Sequence, residues 1–285
     1  VSGGPEAQPE HALAPALVEA VLERLGLAQA PDPDLPGLAS LYRAWCRRVP
    51  FDNVWKRIHL AEGLAGPLPG DAPEDFFASW LRHGTGGTCW AGNGALAALL
   101  AALGFRADRV LSTMRVAPDL PPNHGSVCVT IDGARHLVDA SMLFDEPLAL
   151  VPGGTTHVQH PAWGVMARPE GERWAVRWRP LHVEALDCGI DALGATPAQF
   201  RERHEATREW SPFNFALSAR LDRDDGGVVG VALGQRAEID AAGRWTVRPF
   251  AAGERVGFLI EELGLSEEAA TRLPEDAPMP PPPKP

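Results

Sequence analysis

The chain has 285 residues, 45% hydrophobic and 22% charged, which is enough apolar sequence to bury a core in two or three subdomains and excludes a disordered protein. Its formal net charge of -11, with Lys and Arg scattered rather than clustered, repels polyanions, so no nucleic acid is expected as a partner. No apolar run reaches the roughly 18 residues of a spanning helix, and no basic segment followed by an apolar one opens the chain, which predicts no membrane partner and a cytoplasmic location.

The two ends, residues 1–9 and 274–285, are too rich in Pro and polar residues to pack and are predicted to be disordered. From Ala12 to Leu103 helical spacing dominates. Leu13, Leu17, Val18, Val21 and Leu22 form one stripe, Leu38 to Arg48 forms a second that stops before Pro50, and a further pair covers Pro73 to His83 and Trp90 to Leu103. The last is apolar on all sides, which predicts full burial, and Gly104 caps it.

From Arg109 short strands alternate with turn residues: Val110 to Val116, Gly125 to Ile131, Ala134 to Ser141, Arg173 to Arg179 and Leu181 to Ala185, a small antiparallel sheet or barrel. A helix around Pro197 to Arg208 follows. Strands at Val228 to Ala232, Ala237 to Ile239 and Trp245 to Arg248 then lead to a helix from Ala252 to Leu263.

Four cysteines, Cys46, Cys89, Cys128 and Cys188, stand far apart with no CxxC pair and no zinc-type Cys/His grouping, so no disulfide and no metal are expected. Each is then core filler or nucleophile. Thr85-Gly86-Gly87-Thr88-Cys89-Trp90 sets Cys89 between a glycine-rich turn and a helix start, where unpaired N–H groups and the helix dipole stabilise a thiolate. The glycines admit close approach of a backbone or a substrate carbonyl, and N–H groups around Gly87, Thr88 and Cys89 can face an oxyanion. The competing reading is a buried cysteine that fills space.

A thiolate nucleophile needs a base, and the base needs an orienting group. Asp132-Gly133 signals a two-residue hairpin turn, which pairs Ile131 with Ala134 and, by extension, His124 with Ser141. Asp139 is then the diagonal neighbour of His124 on the same face, whereas His136 points to the opposite one. A structural histidine remains the alternative at position 124, but Asp139 at the end of an apolar strand is costly to bury without such a partner. Cys46, Cys128 and Cys188 read as structural, the last in a loop, and His157 and His160 as loop residues without further metal ligands. Trp55 and Trp90 are candidate walls of an acyl channel.

Val49-Pro50-Phe51-Asp52-Asn53, Gly86-Gly87-Thr88-Cys89-Trp90-Ala91-Gly92-Asn93 and Ser211-Pro212-Phe213 resemble three motifs of the arylamine N-acetyltransferase family, and the Cys89-to-His124 and His124-to-Asp139 intervals are also similar. The resemblance implies an α+β fold with a papain/transglutaminase-like core. It divides into a helical domain over 10–105 carrying the nucleophile, an antiparallel β-barrel domain over 106–220 carrying His and Asp, and an α/β lid over 221–273. It also implies a catalytic triad of Cys89, His124 and Asp139, with Gly87, Thr88, Trp90, Trp55 and Ser141 as oxyanion or substrate contacts and no cofactor.

The chain departs from the family in three places: Thr85 stands where the family has Arg, Gly92 where it has Glu, and Ala140-Ser141-Met142 where it has a glycine-rich stretch. Loss of one Arg and one Glu together reads as loss of a supporting ion pair. These changes point away from acetyl-CoA and arylamines, toward relatives of this architecture that release polyketide chains from acyl or peptidyl carrier proteins. Within that branch the expectation is a Dieckmann cyclase forming tetramate rings. The alternatives are an arylamine N-acetyltransferase or amide synthase, with acetyl-CoA or a carrier as donor, and a thiol hydrolase.

Overall fold

The computed structural model describes residues 13–280. Residues 1–12 and 281–285, which hold much of the expected terminal disorder, lie outside the described residues.

Helices come first. α1 (Pro15–Leu25) and α2 (Leu35–Arg48) each carry proline in the first turn, and Asp34 caps α2 by accepting the Gly37 N–H. A two-residue strand β1 (Phe51–Asp52) and helices α3 (Val54–Ala61) and α4 (Pro73–His83) lead to α5 (Cys89–Ala102). α5 buries residues on every side. It closes as a Schellman turn, with Phe105 N–H on the Leu100 carbonyl, Gly104 N–H on that of Ala101, and Gly104 at φ 86°.

Eight strands follow: β2 (Arg106–Met114), β3 (His124–Ile131), β4 (Ala134–Val138), β5 (Leu148–Ala149), β6 (Thr156–Val158), β7 (Val165–Glu170), β8 (Arg173–Trp178) and β9 (Leu186–Ala195). They form one antiparallel sheet in the order β5-β4-β3-β2-β9-β8-β7-β6. Its edge strands β5 and β6 approach each other, and the Thr156 hydroxyl donates to the Ala149 carbonyl, so the sheet nearly closes into a barrel. α5 packs against β2 and β3, joining helices and barrel in one large core.

After α6 (Pro197–Trp210), opened by a Thr196/Gln199 capping box, a second antiparallel sheet forms from β10 (Ala219–Asp222), β11 (Val228–Ala232), β12 (Gln235–Ile239) and β13 (Trp245–Arg248). β1 completes it at the β10 edge, with Phe51 opposite Arg220. The helical segment thus contributes a strand to the last sheet, and β10 begins before residue 221, so the expected division into consecutive domains is crossed by hydrogen bonding. α7 (Glu254–Glu261) and α8 (Glu267–Arg272) pack with α3 and this sheet around a second core that includes Val54, Ile58, Val229, Phe258 and Leu259.

The tail is also ordered where it is described. Asp276 accepts from the buried Arg57 at 2.6 Å and from the Leu217 N–H, the carbonyls of Pro274 and Glu275 accept from Arg57, and Ala277 donates to the Phe215 carbonyl. Composition alone predicted disorder from residue 274; a buried guanidinium that needs a counter-charge holds residues 274–277 instead. Among the described residues no helix is long and apolar enough to cross a membrane.

Candidate active site

The β3–β4 hairpin has the expected register. Asp132 (φ 49°) and Gly133 (φ 80°) form the loop, and pairing runs from Ile131 with Ala134 to Val127 with Val138. Beyond Val138 the ladder stops and the chain turns inward. Asp139, fully buried, lies next to Ser126, whose Oγ donates at 2.6 Å, and reaches the diagonal His124, whose Nε2 is 2.7 Å from Oδ2. His136 pairs with Val129 and takes no part.

Asp139 is held from all sides. Oδ1 accepts from the Ser141 N–H at 2.8 Å, the Ser141 Oγ at 2.7 Å, the Met142 N–H at 3.0 Å and the Asn93 amide at 3.3 Å. Burial alone would raise its pKa, but the facing His124 and these donors bring it down to about 2. Burial likewise works to lower the His124 pKa, yet the Asp139 carboxylate, with contributions from Cys188 and Cys89, drives it well above the ordinary value. The facing carboxylate thus favours the charged form of the ring. With Nε2 committed to Asp139, Nδ1 is the nitrogen left for the Cys89 sulfur.

Cys89, 7% exposed, is the first residue of α5, where the leading N–H groups have no intrahelical acceptor. One turn on, Asn93 ties the site together: its amide donates to the carbonyls of Cys89 and Gly125, and its oxygen accepts from the Ala140 N–H. Tyr42 adds a clamp on the acid, donating to the Asp139 carbonyl at 2.9 Å and accepting from its N–H at 3.1 Å. Sequence reading gave neither residue a role, although the one-turn spacing of Asn93 from Cys89 was visible.

The turn before Cys89 is packed against β1. The Asp52 N–H donates to the Gly87 carbonyl, and the Asp52 carboxylate accepts from the N–H groups of Gly86 and Val54. Asp52 is buried with no described cation within ion-pair distance, and burial lifts its pKa to about 6 despite those two donors. Thr85, standing where the family has Arg, bonds Ser79 instead, and Gly92 sits against Ala140. A Cβ on Gly86 would lie 1.7 Å from the Pro50 carbonyl oxygen, with backbone on both sides unable to yield. Gly86→Ala is therefore expected to destabilise by about 3 kcal/mol or more, the upper end of overpacking costs. An unchanged urea midpoint would contradict that packing.

Cys89 and His124 open onto a cavity of about 410 Å³ lined mainly by apolar groups, among them Met114, Leu120, Trp178, Trp210, Phe213 and Val231. Of the five expected contacts, Thr88, Trp90 and Ser141 line it. The Thr88 hydroxyl is buried without a described partner, and Trp90 packs edge-on against Phe200. Ser141 spends its hydroxyl on Asp139. Two expectations are corrected. Gly87 lies outside the cavity wall, its carbonyl tied to β1, and Trp55 faces the other core, edge-on to His83 and under the Arg272 guanidinium. Cys188, expected in a loop, is buried on β9 opposite Met114, and His160 is stacked on Trp163.

A family profile described as N-acetyltransferase matches residues 34–179, more than half of the chain and the whole segment from α2 through Cys89, His124 and Asp139 to the end of β8. The chain belongs to the N-acetyltransferase family. An arylamine N-acetyltransferase of Mycolicibacterium smegmatis is 29% identical over 177 residues, 57% of this chain and 62% of the relative, so the match spans less than two thirds of that protein. A proansamycin X synthase of Amycolatopsis mediterranei is 26% identical over 174 residues, 56% of this chain and 65% of that one. Among solved structures, the M. smegmatis arylamine N-acetyltransferase superposes with a TM-score of 0.74 at 21% identity, covering 90% of this chain and 96% of that one. The Mycobacterium marinum enzyme in complex with CoA gives 0.73 at 20% identity, over 90% and 97%. At these identities the likeness to the two structures concerns the N-acetyltransferase fold.

Proposed function

We propose that the protein processes acyl thioesters through an acyl-enzyme on Cys89, and that its reaction is release of a polyketide-peptide chain from a carrier protein by Dieckmann condensation to a tetramate ring. The observation that carries this reading is the cavity in front of Cys89: about 410 Å³ of mostly apolar space, far more than an acetyl group fills and suited to a long acyl chain. Asp52 without a cation among the described residues and a relative named for a synthase activity support it further.

In this mechanism the Cys89 thiolate, paired with the His124 imidazolium, attacks the carrier thioester. The leaving carrier thiolate takes the proton from His124. The oxyanion of the addition step faces the N-terminus of α5 and the Thr88 hydroxyl. His124, now neutral, removes a proton from the carbon between the β-keto and amide carbonyls. That carbon then bonds to the Cys89 thioester carbonyl and expels the thiolate, which restores the starting ion pair. Apolar walls exclude the water that would otherwise hydrolyse the acyl-enzyme.

A second reading, acyl transfer from CoA or a carrier to an amine as in an arylamine N-acetyltransferase or amide synthase, is favoured by the family itself and by a CoA-bound neighbour. Thiol hydrolysis, with water as acceptor, ranks third. The test is to incubate the protein and its Cys89→Ala variant with an N-(β-ketoacyl)-aminoacyl thioester and follow products by mass spectrometry. Cys89-dependent loss of the thiol without gain of water is expected. Hydrolysed acid alone, or acetylation of an aromatic amine by acetyl-CoA in a parallel reaction, would replace ring closure with one of the other two.

A further inference from the structure

Twenty-four of the 26 basic residues are Arg, and the two lysines are Lys56 and Lys284. Lys56 is 4% exposed, on α3, and lines the same cavity as Cys89. An ammonium has three N–H donors. Two of its possible acceptors are on Thr207 of α6, the hydroxyl at 2.8 Å and the carbonyl at 3.3 Å. No carboxylate among the described residues lies within ion-pair distance. The charged and titratable groups around it are Cys89 on α5 and His204, Glu205 and Arg208 on α6.

Arg220 also reaches the cavity wall and its buried Nε has no described partner, but its two terminal nitrogens donate to the carbonyls of Arg179 and Leu143, and the group lies 3.8 Å from Asp222, its counter-charge, and over the Trp178 ring. Lys56 therefore keeps a donor for something in the cavity, and an ammonium there without a carboxylate partner is incomplete without an anion. Burial pushes its pKa down to about 7, partly offset by the nearby Cys89, so an anionic ligand beside it would restore the charge.

We propose that Lys56 is the cationic anchor of this cavity, binding the enolate oxygen of an ionised 1,3-dicarbonyl carried by the acyl chain and holding it beside Cys89. The inference rests on the ring-closing reading above. Removal of the proton by His124 leaves an electron pair shared between carbon and oxygen. Lys56 donates a hydrogen bond to that oxygen and keeps its own protons, while the carbon end forms the new C–C bond and the C–S bond breaks onto Cys89. Capping the end of α6 through Thr207 is the purely structural alternative, and a test must separate the two.

The test uses the Cys89→Ala protein, which cannot turn over, and a tetramic acid bearing a 3-acyl chain, compared with its neutral O-methyl ether, by calorimetry at neutral pH. The anion is expected to bind at least about tenfold more tightly than the ether, since a desolvated charge pair is worth more than a neutral hydrogen bond. Adding Lys56→Met should bring the ratio close to one, and Lys56→Arg should keep much of it, with thermal unfolding of each variant as the control for α6. In the otherwise wild-type protein, Lys56→Met should shift the products of the cyclisable thioester from ring toward hydrolysed acid. A ratio near one before Lys56 is changed, or a ratio that survives Lys56→Met, overturns the anchor even if the wild type makes rings. A Lys56-dependent preference in a protein that makes no ring would instead retain the anchor and remove the Dieckmann reading.

Discussion

Cys89→Ala is expected to lower turnover of any acyl thioester substrate by about 10⁴-fold or more while leaving the fold intact. The size follows from the proposed chemistry: without the sulfur there is no acyl-enzyme, and only binding and the α5 N-terminus remain to act on the thioester. Stability should change little. Cys89 belongs to a small cluster with Trp90 and Phe200, separate from the main core, and its side chain borders the cavity rather than filling a closed space. Equal turnover by the variant and the wild type, measured on the same thioester, would remove Cys89 from the mechanism.

Asp139→Ala is expected to cost both folding and activity. The carboxylate neutralises His124 and accepts from Ser126, Ser141, Met142 and Asn93, all of them buried. Removing it leaves an uncompensated imidazolium and several orphaned donors, which points to a loss of about 3–5 kcal/mol. Asp139→Asn keeps the shape but sets an amide N–H₂ against those donors and orients the imidazole wrongly, so turnover should fall by about 10⁴-fold with a smaller loss of stability.

The pH dependence of stability follows from the same pair. The Asp139 pKa is depressed, so its contribution is complete above the ordinary carboxylate value of 3.8 and is lost as the pH falls toward about 2. The His124 pKa is raised, so its contribution is complete below the ordinary 6.5 and is lost as the pH climbs through the raised value. Urea midpoints of the wild type and Asp139→Ala should therefore converge at strongly acid pH. A constant gap between them down to about pH 2 would mean that the Asp139 pKa is the same in the folded and unfolded chain, and so is not depressed by His124.

The residues nearest the chemistry were the most legible in the sequence, because each obeys a local rule. A cysteine between two glycines and an apolar helix announces a helix start, and a two-residue Asp-Gly turn sets the register that places His124 diagonal to Asp139. α3 was invisible because Lys56, Arg57 and His59 are buried along with Val54 and Ile58, so no polar face marks its period. The same inversion hid Lys56 as a wall of the cavity. The strand expected at Leu181 to Ala185 lies further on as β9, whose pairing with β2 slips twice and whose Gly189 and Gly194 interrupt the side-chain alternation. β7 contains Pro169, which argues against a strand, but that proline lies beyond the stretch that pairs with β6, where its missing N–H costs nothing. Trp55 was expected beside the site as a channel wall, but its place on α3 aims it at the other core.

Intact-protein mass spectrometry after brief exposure to a non-cyclisable long-chain acyl thioester tests the central claim most directly. The wild type should gain one acyl mass, released by hydroxylamine as expected for a thioester, and Cys89→Ala should gain none. An acyl mass that persists in Cys89→Ala, or its absence from a wild type that still consumes the thioester, would contradict the account.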